Sequence, residues 1–152
     1  MSELTLIIGG TRSGKSAFAT ELAKKHKHVC YIATADSGQS SQFDDGEMLE
    51  RIQKHRENRP AEWKTVEAPL ELEKAVSNLN GNLDVVLIDC ITIYVTNMLL
   101  GSHKEEGDAY IIDAINKLCS VCKSAPFHVI IVTNEVGYGI VPDNVLSRLF
   151  RD

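Results

Sequence analysis

The sequence predicts an α/β domain with a mostly parallel sheet flanked by helices. Three observations carry that prediction. Four short apolar runs alternate with helix-patterned stretches, the order that builds parallel sheets. Two of the runs are apolar throughout rather than alternating, as strands covered on both faces are. Each run gives way at its carboxyl end to glycine or polar residues, where open parallel sheets bind ligands.

The first strand is Leu4–Ile8, running into Gly9-Gly10-Thr11-Arg12-Ser13-Gly14-Lys15-Ser16 and then a helix over Ala17–Lys25. Gly9-x-x-x-x-Gly14-Lys15-Ser16 has the spacing of a phosphate-binding P-loop, and its strand-turn-helix setting is the one the motif requires. Glycines let the backbone curl its N–H groups inward toward phosphate oxygens, and the helix adds the positive end of its dipole. Lys15 would lie along the β/γ-phosphates and Ser16 would hold Mg²⁺. Arg12 reads two ways, as a further phosphate contact or as cover for the loop. The fold is therefore read as P-loop NTPase-like, with residues 1–152 forming one nucleotide-binding domain.

The second strand is His28–Ala33, ending at Thr34-Ala35-Asp36. The polar stretch Ser37–Gln42 follows as a loop. From about Gly46 to Asn58, Met48, Leu49 and Ile52 mark a helix with a narrow apolar stripe, stopped by Arg59-Pro60. Arg51, His55 and Arg59 stand four apart, drifting only about 40° per step, and would share one face of a helix reaching Arg59. Neighbouring positive charge favours neutral imidazole, a nucleophile or base. On the residues alone, a solvated basic face with an incidental histidine is the competing reading.

Trp63–Glu67 is strand or extended chain. Pro69–Asn80 reads as a helix with Pro69 in its first turn and Gly81 past its end. Asp84–Cys90 is the third apolar run, and Asp89 at its carboxyl end occupies the place of a Walker-B carboxylate, which holds Mg²⁺ or positions a nucleophile. Helices are predicted over Ile91–Leu100 and Asp108–Lys123. The fourth run, Phe127–Thr133, switches to Asn134-Glu135-Val136-Gly137-Tyr138-Gly139, and Pro142–Phe150 begins another helix.

Composition narrows the function. The chain has 152 residues, 43% hydrophobic and 24% charged, with a net charge of −5. A negative balance argues against a general nucleic-acid or anionic-membrane binder. No apolar run reaches the roughly 18 residues of a membrane span and no signal pattern opens the chain, so a cytoplasmic protein is expected. Four cysteines, Cys30, Cys90, Cys119 and Cys122, are read as core thiols of strands and a helix. Cys119-Ser-Val-Cys122 lies mid-helix, away from the helix start that a redox CxxC occupies.

Five stretches resemble the bifunctional adenosylcobinamide kinase/adenosylcobinamide-phosphate guanylyltransferases of cobalamin biosynthesis. They are Gly9–Ser16, Tyr31–Ala35, Arg51-Ile52-Gln53-Lys54-His55 through Arg59-Pro60 to Trp63–Glu67, Asp89-Cys90-Ile91-Thr92, and Thr133–Pro142. The resemblance spans nearly the whole chain. It implies phosphorylation of the aminopropanol hydroxyl of adenosylcobinamide by a nucleoside triphosphate. It also implies attack of a histidine on the α-phosphate of GTP and transfer of the bound GMP to the new phosphate, giving adenosylcobinamide-GDP. His55 matches the histidine of the family's Arg-Ile-x-x-His pattern. Thr34, Ala35, Asp36, Arg56, Glu57, Asn58, Arg59, Glu67 and Asp89 match positions that contact guanine nucleotide, with Glu67 on the ribose or base. GTP, ATP and Mg²⁺ are the implied cofactors, the corrinoid is the partner, and a homotrimer is the implied assembly. The family pattern continues past Asp152 into the end of the last helix and one more strand. Two other functions compete: a simple P-loop kinase or NTPase without a covalent step, and a regulatory module that binds GTP without turnover.

Overall fold

The computed structural model describes residues 3–10, 13–35, 57, 59–79, 81–101 and 107–134. In chain order these form β1 (Leu4–Gly9), α1 (Lys15–Ala23), β2 (Val29–Ala33), β3 (Lys64–Glu67), α2 (Leu72–Ser77), β4 (Val85–Asp89), α3 (Ile91–Leu100), α4 (Gly107–Ser124) and β5 (His128–Asn134). The strands make one sheet in the order β1-β5-β4-β2-β3, and every described pairing is parallel.

Burial explains the order. The uninterrupted apolar runs become interior strands: Val29–Ile32 of β2, Val85–Ile88 of β4 and Val129–Val132 of β5 are buried. The two edges are different in kind. In β1, Leu4, Leu6 and Ile8 are exposed, whereas β3 is the polar Lys-Thr-Val-Glu, whose charges discourage further pairing at that edge.

Alternation along the strands divides the core. Cys30, Ile32, Val86, Ile88, Val129 and Ile131 pack with α2, α3 and α4 through Leu72, Val76, Tyr94, Met98 and Leu118. On the other face, Tyr31, Leu87, Ile130 and Val132 pack with α1 through Ala19 and Ala23. The two fully buried α1 residues are alanines, with Leu22 packed beside them, which lets that helix lie close to the sheet.

The register brings the loops to one edge. Gly9 pairs with Asn134 and Val132 with Asp89. Asp89 in turn pairs with Ala33, and Ala33 with Glu67. The P-loop, the carboxylate of β4, the Thr34 turn and Glu67 thus emerge side by side.

Three details depart from the sequence expectation. α2 is shorter than 69–80, because Glu71 adopts a left-handed φ of 54° before the helix and the Pro69 carbonyl accepts a bond from Asn97. Cys90, expected at the end of β4, instead caps the start of α3. Arg59 lies in a bend rather than in a helix, while Glu57 is helical, so Arg59 does not continue a face with residues 51 and 55 by helical spacing.

Candidate active site

The glycines of the first loop each answer a physical demand. A Cβ at Gly9 would sit 2.5 Å from Ser13 Oγ, so the turn closes only over a bare Cα. Gly14 has φ 84°, a left-handed conformation that costs a side-chain-bearing residue about 1–2 kcal/mol. Between them the Ser13 N–H donates to the Gly10 carbonyl at 3.2 Å, and the Phe18 N–H donates to Gly14 O at 2.9 Å.

Helix α1 begins at Lys15 with no side-chain cap and no acidic residue in its first turn. Its leading N–H groups have no intrahelical acceptors, the arrangement that takes up an anion at a helix start. Lys15 Nζ donates to Gly10 O at 3.1 Å, arching over the loop mouth. Its charge also reaches across β5, where it opposes the rise of the Cys90 thiol. Burial first and the Asp89 charge second push that thiol up to about 11.

Asp89 ends β4 on the face shared with Tyr31 and Leu87, the α1 side of the sheet. With β5 between them, β1 and β4 are about 10 Å apart at roughly 4.8 Å per strand, a gap that phosphates and a cation can span. The Tyr31 hydroxyl donates to Asp89 Oδ2 at 2.9 Å. Burial, then the Asp89 charge, raises the phenol well above its ordinary value, so it remains a proton donor. Over its ring stands the Arg59 guanidinium, 3.8 Å from the centroid, a cation–π contact within the favourable range.

The turns are held by side chains that bond to backbone. Thr34 is fully buried, donating to the Cys90 carbonyl at 2.7 Å and accepting from the Cys90 N–H at 2.9 Å. Asn97 Nδ2 donates to Thr34 O and to Pro69 O, both at 2.9 Å. The Asn134 N–H donates to Thr92 Oγ1 at 2.8 Å. One helix, α3, therefore fixes the ends of β2, β3 and β5.

Of the residues singled out in the sequence, Gly9, Gly10, Ser13, Gly14, Lys15 and Ser16 form the described loop and helix start. Thr34, Ala35, Glu67 and Asp89 lie along the same sheet edge, and Arg59 stands over Tyr31. Glu57 is described and exposed. Thr11, Arg12, Asp36, His55, Arg56 and Asn58 lie outside the described residues, as do Arg51 and the stretches 37–45 and 135–150. Among the described residues no three His, Cys, Asp or Glu side chains gather as a metal cage. The hard oxygens of Ser16 and Asp89 still fit Mg²⁺, which commonly binds through one or two protein oxygens together with substrate phosphates.

The sequence places Tyr31 and Thr92 within the stretches of resemblance but gives them no role, and it does not single out Asn97. The one available signal was a tyrosine within the apolar Val29–Ala33 run, since a buried phenol needs a hydrogen-bond partner.

Comparison with known proteins agrees with this geometry. Residues 5–152 match the family described as cobinamide kinase / cobinamide phosphate guanyltransferase. The bifunctional adenosylcobalamin biosynthesis protein CobU of Salmonella typhimurium is 42% identical over 98% of this chain and 84% of its own length. The protein of the same name from Escherichia coli is 43% identical over the same shares of the two chains. Among solved structures, a KaiC-like protein from Pyrococcus horikoshii is similar in fold, with TM-score 0.51 and 15% identity, over 88% of this chain and 63% of that one. No described helix is long and apolar enough to cross a membrane.

Proposed function

The chain belongs to the cobinamide kinase / cobinamide phosphate guanyltransferase family, a bifunctional transferase of cobalamin biosynthesis, and we propose that both of its reactions run at the carboxyl edge of the sheet. One observation carries this reading: the glycine loop with Lys15, and Asp89, rise at the same carboxyl edge from β1 and β4, strands with only β5 between them.

In the kinase step, the aminopropanol hydroxyl of adenosylcobinamide attacks the γ-phosphorus of a nucleoside triphosphate, ATP or GTP. The bond to the bridging oxygen breaks, a nucleoside diphosphate leaves and the hydroxyl proton is released to solvent. Lys15 and the α1 amides take up the charge on the β/γ-oxygens, which is where phosphoryl transfer needs it. Ser16 and Asp89 would hold Mg²⁺, which neutralises phosphate charge when bound.

In the second step, a neutral His55 nitrogen forms a P–N bond to the α-phosphorus of GTP and pyrophosphate departs. A phosphate oxygen of adenosylcobinamide phosphate then attacks that phosphorus, the P–N bond breaks, and adenosylcobinamide-GDP is released. Gly9, Gly10, Thr11, Arg12, Ser13 and Gly14 would wrap the phosphates. Arg56 and Arg59 would offset charge beside His55, while Thr34, Ala35, Asp36, Glu57, Asn58 and Glu67 would contact the guanine nucleotide. A homotrimer in the cytoplasm completes the reading.

The test incubates the protein with Mg²⁺ and GTP labelled at the α-phosphate and measures label retained after denaturation, beside His55→Ala. Acid-labile, alkali-stable label in the wild type and none in the variant supports the covalent step. An unlabelled but folded wild type, or equal labelling of the variant, removes it and leaves a P-loop kinase.

A further inference from the structure

Tyr31 is engaged at both ends by different parts of the site. Its hydroxyl donates to Asp89 Oδ2 at 2.9 Å, the Arg59 guanidinium lies 3.8 Å over its ring, and the residue is only 5% exposed. Resting on the assignment of Asp89 and Arg59 to the nucleotide site, we infer that Tyr31 is a positioning residue for the phosphate chemistry, its hydroxyl orienting the Asp89 carboxylate and its ring seating Arg59.

The register makes both contacts possible. Tyr31 pairs with Leu87 on β4 and with Thr65 on β3, so its long side chain runs along the sheet toward the carboxyl edge and ends at Asp89. Its neighbours Val29 and Ile32 show that this strand needs only apolar bulk for packing. A phenylalanine would supply that bulk and the ring face but no proton for the carboxylate, and a leucine would supply neither.

The two ends can be tested separately with Tyr31→Phe and Tyr31→Leu. GTP affinity is measured by calorimetry in EDTA and across a Mg²⁺ titration, with kcat and KM of the kinase step and thermal unfolding alongside. For Tyr31→Phe, GTP affinity in EDTA should stay within about twofold of wild type. The Mg²⁺ midpoint should rise about tenfold and kcat fall about tenfold at nearly constant KM, the scale of a lost hydrogen bond to a charged group. Tyr31→Leu should add a loss of about fivefold in GTP affinity in EDTA. Arg59→Ala should show that same loss alone, and none further in the Tyr31→Leu background.

A purely structural tyrosine would lower the unfolding temperature without moving the Mg²⁺ midpoint. That result, or a Tyr31→Phe protein with wild-type midpoint and kcat, overturns the inference. Failure of the covalent step would appear in wild-type GTP labelling and leaves these binding measurements untouched.

Discussion

The Thr34 hydroxyl bonds twice to the backbone of Cys90, donating to its carbonyl at 2.7 Å and accepting from its N–H at 2.9 Å. The Thr34 N–H donates to Asp89 O at 3.2 Å, and its carbonyl accepts from Asn97. The three polar groups of a fully buried residue thus make four hydrogen bonds, and the turn after β2 is locked to the turn after β4. Thr34→Val keeps the shape but strands a buried donor and acceptor of Cys90. Stability in urea should fall by about 2–4 kcal/mol, while Thr34→Ser, which retains the hydroxyl, should lose roughly 1 kcal/mol for its missing methyl. A Thr34→Val protein as stable as wild type, with the loss confined to Thr34→Ser, would mean that the methyl, not the hydroxyl, matters.

Lys15 should separate binding from folding. Its described bond, to the Gly10 carbonyl, is exposed, and such contacts add little to stability. Aimed at phosphate it does far more, because charge-assisted bonds to phosphate are roughly twice as strong as neutral ones. Lys15→Ala should therefore weaken GTP by about 10- to 100-fold and move the unfolding midpoint by no more than about 2 °C. Calorimetry and a thermal melt on the same preparation decide it. Unchanged affinity would remove Lys15 from the phosphates.

The two structural glycines should fail for different reasons. Gly14→Ala meets no atom within 4 Å but is held at φ 84°, so its cost, about 1–2 kcal/mol, is conformational. Gly9→Ala collides with Ser13 Oγ at 2.5 Å, whereas the next atom, Ser13 Cβ, is at 3.4 Å. Ser13→Ala should accordingly restore much of the stability lost in Gly9→Ala and none of that lost in Gly14→Ala. Additive effects in the first pair would show that Ser13 is not the obstacle.

Legibility in the sequence follows from where each element's stabilisation comes from. β2, β4 and β5 are covered on both faces, and that burial writes itself as unbroken apolar runs. α3 was bounded correctly at Ile91–Leu100, and the P-loop was legible because spacing and context coincide. β3 stays ambiguous in the sequence between strand and extended chain, because Lys-Thr-Val-Glu has no pattern of its own and is a strand through its pairing with β2. The start of α2 was misplaced because Asn97, 28 residues away, takes the Pro69 carbonyl. The role of Tyr31 is hidden for a similar reason, since its partner Asp89 is 58 residues distant. Local sequence signals say nothing of such pairs.

The opposite edge of the sheet offers a prediction about pH. There Asp84 Oδ2 accepts the His28 N–H at 2.9 Å, and the Asp84 N–H donates to His28 O at 2.8 Å, lacing the starts of β2 and β4. The His28 amide bond above all, helped by the charges of His28 and His26, holds the Asp84 carboxyl below its ordinary 3.8. A carboxyl lowered on folding stabilises the native state only while ionised. Its contribution is complete above about pH 4, the ordinary carboxylate range, and disappears as pH falls through the lower folded value. Asp84→Ala should thus unfold at a lower temperature than wild type at pH 7, with the gap narrowing progressively below pH about 4. Melts at half-unit steps from pH 7 to 3 would show this. A gap that stays constant to pH 3 would mean that ionisation of the carboxyl adds nothing to stability.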